Sequence, residues 1–170
     1  MHEQAKIDSG PVLYAGTTMP TRALYIKRSA DEELYSALSS GQYCVVLGPN
    51  QIGKSSLQQR IQQRLELSGV RCANVDLSVI GISEGNAENQ SVQIDSWYDA
   101  LIGRLAQKLK FDEIDPFLAG ASKAPPTDRL ARFIEEFVAQ IDSPVALFFD
   151  EIQTIGRLGT RAGEFLSALR

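Results

Sequence analysis

Gly48-Pro49-Asn50-Gln51-Ile52-Gly53-Lys54-Ser55 fits G-x-x-x-x-G-K-[ST], the phosphate-loop pattern called Walker A. Such a loop wraps backbone N–H groups around the β-phosphate of a nucleotide. The glycines permit the tight path, and the lysine ammonium spans the β- and γ-phosphates. The serine hydroxyl offers an oxygen to Mg²⁺, a hard ion that takes oxygen ligands. Ser56 follows in the same turn and joins the expected cofactor-binding set. With average glycine, lysine and serine usage, a chain of this length meets the pattern by accident under about 1% of the time. Neighbouring residues strengthen the match. Tyr43-Cys44-Val45-Val46-Leu47 is a short apolar, β-branched run that reads as a buried strand. Residues 55–67 carry Leu57, Ile61 and Leu65 on one helical face and stop at Ser68-Gly69. Strand, glycine loop and helix is the order the motif requires, with the phosphate at the positive end of the helix dipole.

The chain has 170 residues, 44% hydrophobic and 22% charged, and a formal net charge of −4. This is the composition of an ordinary globular domain with a core of its own. Its pI near 5.1 gives no broad attraction for nucleic acid or for acidic membrane surfaces. The two cysteines, Cys44 and Cys72, each lie in an apolar strand-like run and read as small buried thiols in a reducing compartment. His2 is the only histidine, so zinc chemistry and histidine-based triads have no material. Residues 1–10 are polar and carry no signal-peptide pattern. No run approaches the roughly 18 apolar residues of a membrane helix, and a cytoplasmic protein is expected.

Residues 1–22, with Gly10-Pro11, Gly16 and Pro20, read as an extended segment, leaving 23–170 as the domain. Residues 31–38 read as a helix, capped by Ser29 or Asp31 and ended by Ser39-Ser40-Gly41. A second strand covers 70–77, and Asp76 at its tip serves either as a cap or as a group facing the γ-phosphate. Residues 81–91 read as a mobile loop. Trp97, Leu101, Leu105 and Leu109 mark a helix over about 96–110. Residues 112–126 form a connection with short helical pieces, and Thr127 opens a helix whose apolar stripe runs to Ile141. Residues 161–170 read as a further helix. Strands alternating with helices indicate an α/β protein with a parallel sheet covered on both faces.

Val145-Ala146-Leu147-Phe148-Phe149-Asp150-Glu151 follows the loop by about 100 residues. An apolar strand that runs into an acid is the Walker B pattern. Mg²⁺ keeps most of its waters, so a carboxylate at the strand tip holds one of them. In an open α/β sheet that tip faces the same crevice as the phosphate loop. Asp150 is assigned to the metal. Glu151 is assigned to orienting or deprotonating the attacking water.

Glu151 directly after Asp150 resembles the additional-strand, catalytic-glutamate branch of P-loop ATPases, which includes AAA+ and STAND proteins. More narrowly, four stretches resemble the AAA-like domain of bacterial STAND signalling proteins: the run Tyr25-Ile26-Lys27-Arg28 continuing to Leu34, the run from Gln42 to Gly48, the run from Gly69 to Leu77, and Trp97-Tyr98. The resemblance spans about residues 14–170. It implies a three-layer α/β/α fold with strand order 5-1-4-3-2, and ATP with Mg²⁺ as cofactors. It also implies a contact from Arg28, by side chain or local backbone, to the base or ribose. In that order strand 4 lies between the Walker A and Walker B strands and carries a sensor residue. This sequence stops about twenty residues after Walker B, so the sheet is expected to be incomplete there. Arg157 and Arg161 are better read as helix-surface residues than as arginine fingers. Three functions compete: a STAND-type ATP switch that hydrolyses slowly and self-associates or works with further domains, a nucleotide-binding module without hydrolysis, and a DNA-directed AAA+ ATPase.

Overall fold

The computed structural model describes residues 27–49, 51–81, 87–111, 114–121 and 123–169. The extended segment expected at 1–22, together with Tyr25, Ile26 and Asn50, lies outside the described residues. The chain divides into two compact units, Met1–Ile61 and Gln62–Arg170.

In the first unit, helix α1 covers Ser29–Ser39. Its N-cap is Arg28, in extended conformation, and not Ser29. Asp31 acts from inside the first turn, where its Oδ2 accepts the Arg28 backbone N–H at 2.9 Å. An acid there also faces the positive end of the helix. The helix stops where expected, with the Ser40 amide bonded back to Ser36 and the Gly41 amide to Leu38. Helix α2, which begins in this unit and continues past its last residue, covers Lys54–Leu67, and its apolar face, Leu57, Ile61 and Leu65, is buried. Gly69, at φ +85°, ends α2 in the left-handed conformation a glycine adopts without cost, with the Val70 amide returning to the Leu65 carbonyl.

The strand expected at 43–47 does not form. Residues 42–49 follow no regular pattern, and Val45 and Leu47 are 59% and 85% exposed. A β-branched run supplies propensity, but a strand exists only when a neighbour completes its ladder. Among the described residues no segment pairs with this one.

The second unit holds the sheet, two parallel strands, β1 (Arg71–Asp76) and β2 (Val145–Asp150). Their register runs from Arg71 opposite Val145 to Asp76 opposite Asp150. Both strands therefore end in an acid at the same edge. The protein is mixed α/β, as expected, and among the described residues the sheet is narrower than the three-layer fold requires. Between the strands lie α3 (Ala87–Leu109), α4 (Ile114–Ala121) and α5 (Pro126–Ala139). Helix α3 starts within the loop expected at 81–91, and residues 82–86 lie outside the described set. Pro126 opens α5 at the helical position where its missing N–H costs nothing. After β2, tight 3₁₀ turns over Ile152–Arg161 kink at Gly159 and lead to α6 (Ala162–Ala168), a shorter helix than expected.

The core of this unit gathers Ala73 and Val75 of β1, the α3 stripe from Ile94 to Leu109, Leu130 and Phe133 of α5, and Phe165 of α6. Trp97, Tyr98 and Phe149 meet the Phe165 ring edge-to-face, with centroids 5.5 to 6.3 Å apart. Arg129 of α5, 3% exposed, bonds Asp95 and Asp99 of α3 at 3.1 and 2.9 Å and the Ala124 carbonyl at 3.0 Å. That network locks α5 to α3.

Candidate phosphate-binding site

The loop at 48–55 is shaped by two backbone features. Gly53 has φ +89°, and Gln51 takes a left-handed φ of 63°. Gln51 has a Cβ, so this conformation carries a strain of order 1 kcal/mol, sustained only where surrounding contacts enforce it. Among the described residues three non-glycine side chains have positive φ: Gln51, Lys110 and Glu151. Two of the three are expected site residues. Strain held at such places is characteristic of functional loops.

The Leu57 amide bonds the Gly53 carbonyl at 3.0 Å, which makes Gly53 the residue from which α2 starts. Lys54, Ser55 and Ser56 form the first turn, where helix amides have no carbonyl four residues back to bond. No acid lies in that turn, so nothing there opposes an anion at the positive end of the dipole. Lys54 folds back over the loop, its Nζ donating to the carbonyls of Gly48 at 3.2 Å and Pro49 at 3.0 Å. A lysine so placed arches across the loop with its ammonium at the carbonyls where the loop begins.

Arg28 lies against this loop. Its Nη1 donates to the Ile52 carbonyl at 3.0 Å, and its Nη2 would be 3.2 Å from a Cβ placed on Gly53. The structure thus brings Arg28 to residues 52–53. Asp31, 0% exposed, holds the Arg28 amide and stands 3.6 Å from Nε of Arg60 in α2. Asp31 and Arg60 were not among the expected site residues. Asp31 did carry a helix-start signal, but its contact with Arg60 has no sequence signature.

Asp150 and Glu151 belong to the second unit. Asp150 ends β2, and its Oδ1 accepts the Glu151 amide at 2.9 Å. The chain then turns through Glu151 at φ 55° into the 3₁₀ segment, so the Glu151 carboxylate is exposed. Gln153 Nε2 donates to Glu151 Oε2, and Thr154 caps the Glu151 carbonyl through its amide and hydroxyl. Gln153 was missed by sequence reasoning, and its position two residues after the glutamate is the only hint. Asp76, opposite Asp150, caps the turn Leu77–Val79, its Oδ1 accepting from the Ser78 amide at 2.8 Å and hydroxyl at 2.6 Å. The cap alternative for Asp76 is the one observed.

Both cysteines are half-buried, not buried. Burial, reinforced by the negative charge of Glu66, pushes the Cys72 thiol up to about 11. It is a poor nucleophile and a poor metal ligand near neutral pH. No cluster of acids, cysteines or histidines able to hold a metal by itself occurs among the described residues. A cavity of about 160 Å³ lined by Tyr98, Pro125, Pro126, Thr127, Arg161 and Glu164 is too small for a nucleotide and contains no expected site residue.

The AAA-like domain family matches residues 13–170, and the chain belongs to that family. Membership points to a nucleotide-binding function of the ATPase type. The chain is similar to a WD repeat-containing protein of Synechocystis sp., at 29% identity over 169 residues. That match covers 96% of this chain and 14% of the relative, so the chain spans about a seventh of the relative's length. No solved structure matches the chain. Among the described residues, no helix is long and apolar enough to cross a membrane.

Proposed function

We propose that residues 48–55 bind the phosphates of ATP as a Walker A loop, and that the domain is a nucleotide-dependent switch of the STAND type. The observation that carries this reading is the loop itself. Gly53 is left-handed at the start of a 14-residue helix with no acid in its first turn, and Lys54 arches over the Gly48 and Pro49 carbonyls. These residues fit a triphosphate by charge and by donor type. Family membership supports the same ligand class.

Within this reading, Lys54 neutralises phosphate charge, and the amides of the first turn, with those of 51–53, donate to phosphate oxygens. Within the first unit Ser55 is the residue that would hold Mg²⁺, which would supply positive charge to the phosphate oxygens. Asp150, at the tip of its own strand, is assigned to the metal on the sequence pattern alone. Glu151, steadied by Gln153, orients the attacking water and takes its proton. Arg28, whose guanidinium stands at the Ile52 carbonyl beside the loop, is also assigned to the base or ribose, by side chain or local backbone. The β1–β2 pair is compatible with positions 2 and 3 of the 5-1-4-3-2 order. The similarity to a WD repeat-containing protein supports a domain working within a larger, multidomain chain. There the γ-phosphate biases a conformational equilibrium and self-association.

Calorimetric titration with Mg·ATP tests the reading. Lys54→Ala should abolish binding, and Glu151→Gln should keep binding while losing turnover. Equal affinity in wild type and Lys54→Ala defeats it. The second reading, a module that binds without hydrolysing, draws on the exposure of the Glu151 carboxylate. It predicts single-turnover rates equal in wild type and Glu151→Gln.

A further inference from the structure

We propose that Asp31 is a positioning residue for the phosphate loop, acting through Arg28 on the peptide between Ile52 and Gly53. The inference rests on the nucleotide reading above and adds to it how the loop is held.

Asp31 is 0% exposed, and a buried carboxylate is kept only where partners compensate its lost hydration. Its two oxygens face different elements. Oδ2 takes the Arg28 amide at 2.9 Å, which fixes the entry to α1. Oδ1 makes no hydrogen bond and is compensated by charge alone, with Arg60 Nε of α2 at an ion-pair distance of 3.6 Å. One carboxylate therefore ties the start of α1 to the helix that follows the loop, and Arg28 stands at that junction.

From there the Arg28 guanidinium reaches the Ile52 carbonyl at 3.0 Å. In a trans peptide the C=O and N–H point in opposite directions. Holding the Ile52 oxygen from one side therefore fixes the direction of the Gly53 N–H, one of the amides offered to phosphate. Gly53, at φ +89° and without a Cβ, has wide backbone freedom, so this peptide gains from an external clamp. The absent Cβ also leaves the space in which Arg28 Nη2 sits, 3.2 Å from where that atom would be. Donors aligned before the ligand arrives need no reorganisation on binding, and a charged donor on the carbonyl is the stronger kind of clamp.

A clamp on the loop and a contact to base or ribose make different predictions, because the first acts on phosphate alone. Magnesium tripolyphosphate and Mg·ATP are titrated by calorimetry into the whole chain as wild type, Arg28→Ala, Asp31→Asn and Lys54→Ala, with thermal melts alongside. Arg28→Ala and Asp31→Asn should each weaken both ligands by a similar factor, about five- to tenfold. Arg28→Ala should melt with wild type, since Arg28 is exposed and its amide keeps the bond to Asp31. An unchanged affinity for tripolyphosphate in Arg28→Ala overturns the proposal, whether or not ATP affinity falls. Should Asp31→Asn fail to fold, Arg28→Ala still decides between the two outcomes, and Arg60→Gln, at an exposed position, probes the carboxylate from its other side with the same expected loss. If wild type binds neither ligand, or binds as Lys54→Ala does, the nucleotide reading falls and takes this one with it. If only Lys54→Ala loses affinity, the nucleotide reading stands and the Asp31 role is refuted.

Discussion

A methyl group at Gly53 meets two obstacles. The backbone there, at φ +89°, disfavours any L side chain, and the Cβ would stand 3.2 Å from Arg28 Nη2. The second obstacle is the end of a long side chain and yields easily. The first does not, and Gly53→Ala should lower unfolding stability by about 1–2 kcal/mol, read from the midpoint of urea denaturation. Cys72 gives a pH test. Its folded pKa is raised from 9.0 to about 11, so the folded protein holds this proton more tightly than the unfolded chain does. That contribution is complete below pH 9 and disappears as pH rises through about 11. Cys72→Ser should flatten the fall in melting temperature over that window, and alkylation of Cys72 should stay slow at pH 8. At this scale the loop was legible because its glycines and lysine stand at fixed spacing. The left-handed Gln51 and the burial of Asp31 were not, since the first is imposed by neighbours and the second needs Arg60, 29 positions away.

Among the elements, residues 43–47 and β1 make the sharpest contrast. Both are short apolar runs, yet the first stays exposed and irregular while β1 pairs with β2 along its length. Hydrogen exchange should show amides 45–47 exchanging at least a hundredfold faster than amides 73–75. Comparable protection would mean that the run has found a ladder partner. Helix α5 offers a second test. Arg129 is buried while Asp95 and Asp99 are each about half exposed, so losing the cation leaves acids that water partly rescues. Arg129→Ala should cost about 2–4 kcal/mol in urea unfolding, the lower part of the range for breaking a buried pair. Helices were the most legible elements, because periodic leucines in α3 and the stripe of α5 report a buried face directly. Their limits were less so, and α3 extends back to Ala87 through a stretch without an apolar stripe of its own.

Taken whole, the chain is acidic, with a net charge of −4, and some of its basic groups are engaged in specific contacts, such as Lys54 with the loop and Arg129 with α3. Association with double-stranded DNA at physiological salt should therefore be undetectable by fluorescence anisotropy. Tight binding with a steep salt slope would restore the DNA-directed alternative. The amino-acid sequence by itself determined the α/β class, the helical stripes, the phosphate-loop pattern and the acid pair that ends the Val145–Asp150 strand. Each of these is written in local spacing, which the periods of helix and strand convert directly into shape. Tertiary structure alone decided that residues 43–47 have no ladder partner among the described residues, that Asp76 stands beside Asp150, and that Asp31 gathers Arg28 and Arg60 next to the loop. Those outcomes depend on which distant residues arrive as partners. Hydrogen bonding and burial reward such meetings only after the chain has folded, so no local pattern encodes them.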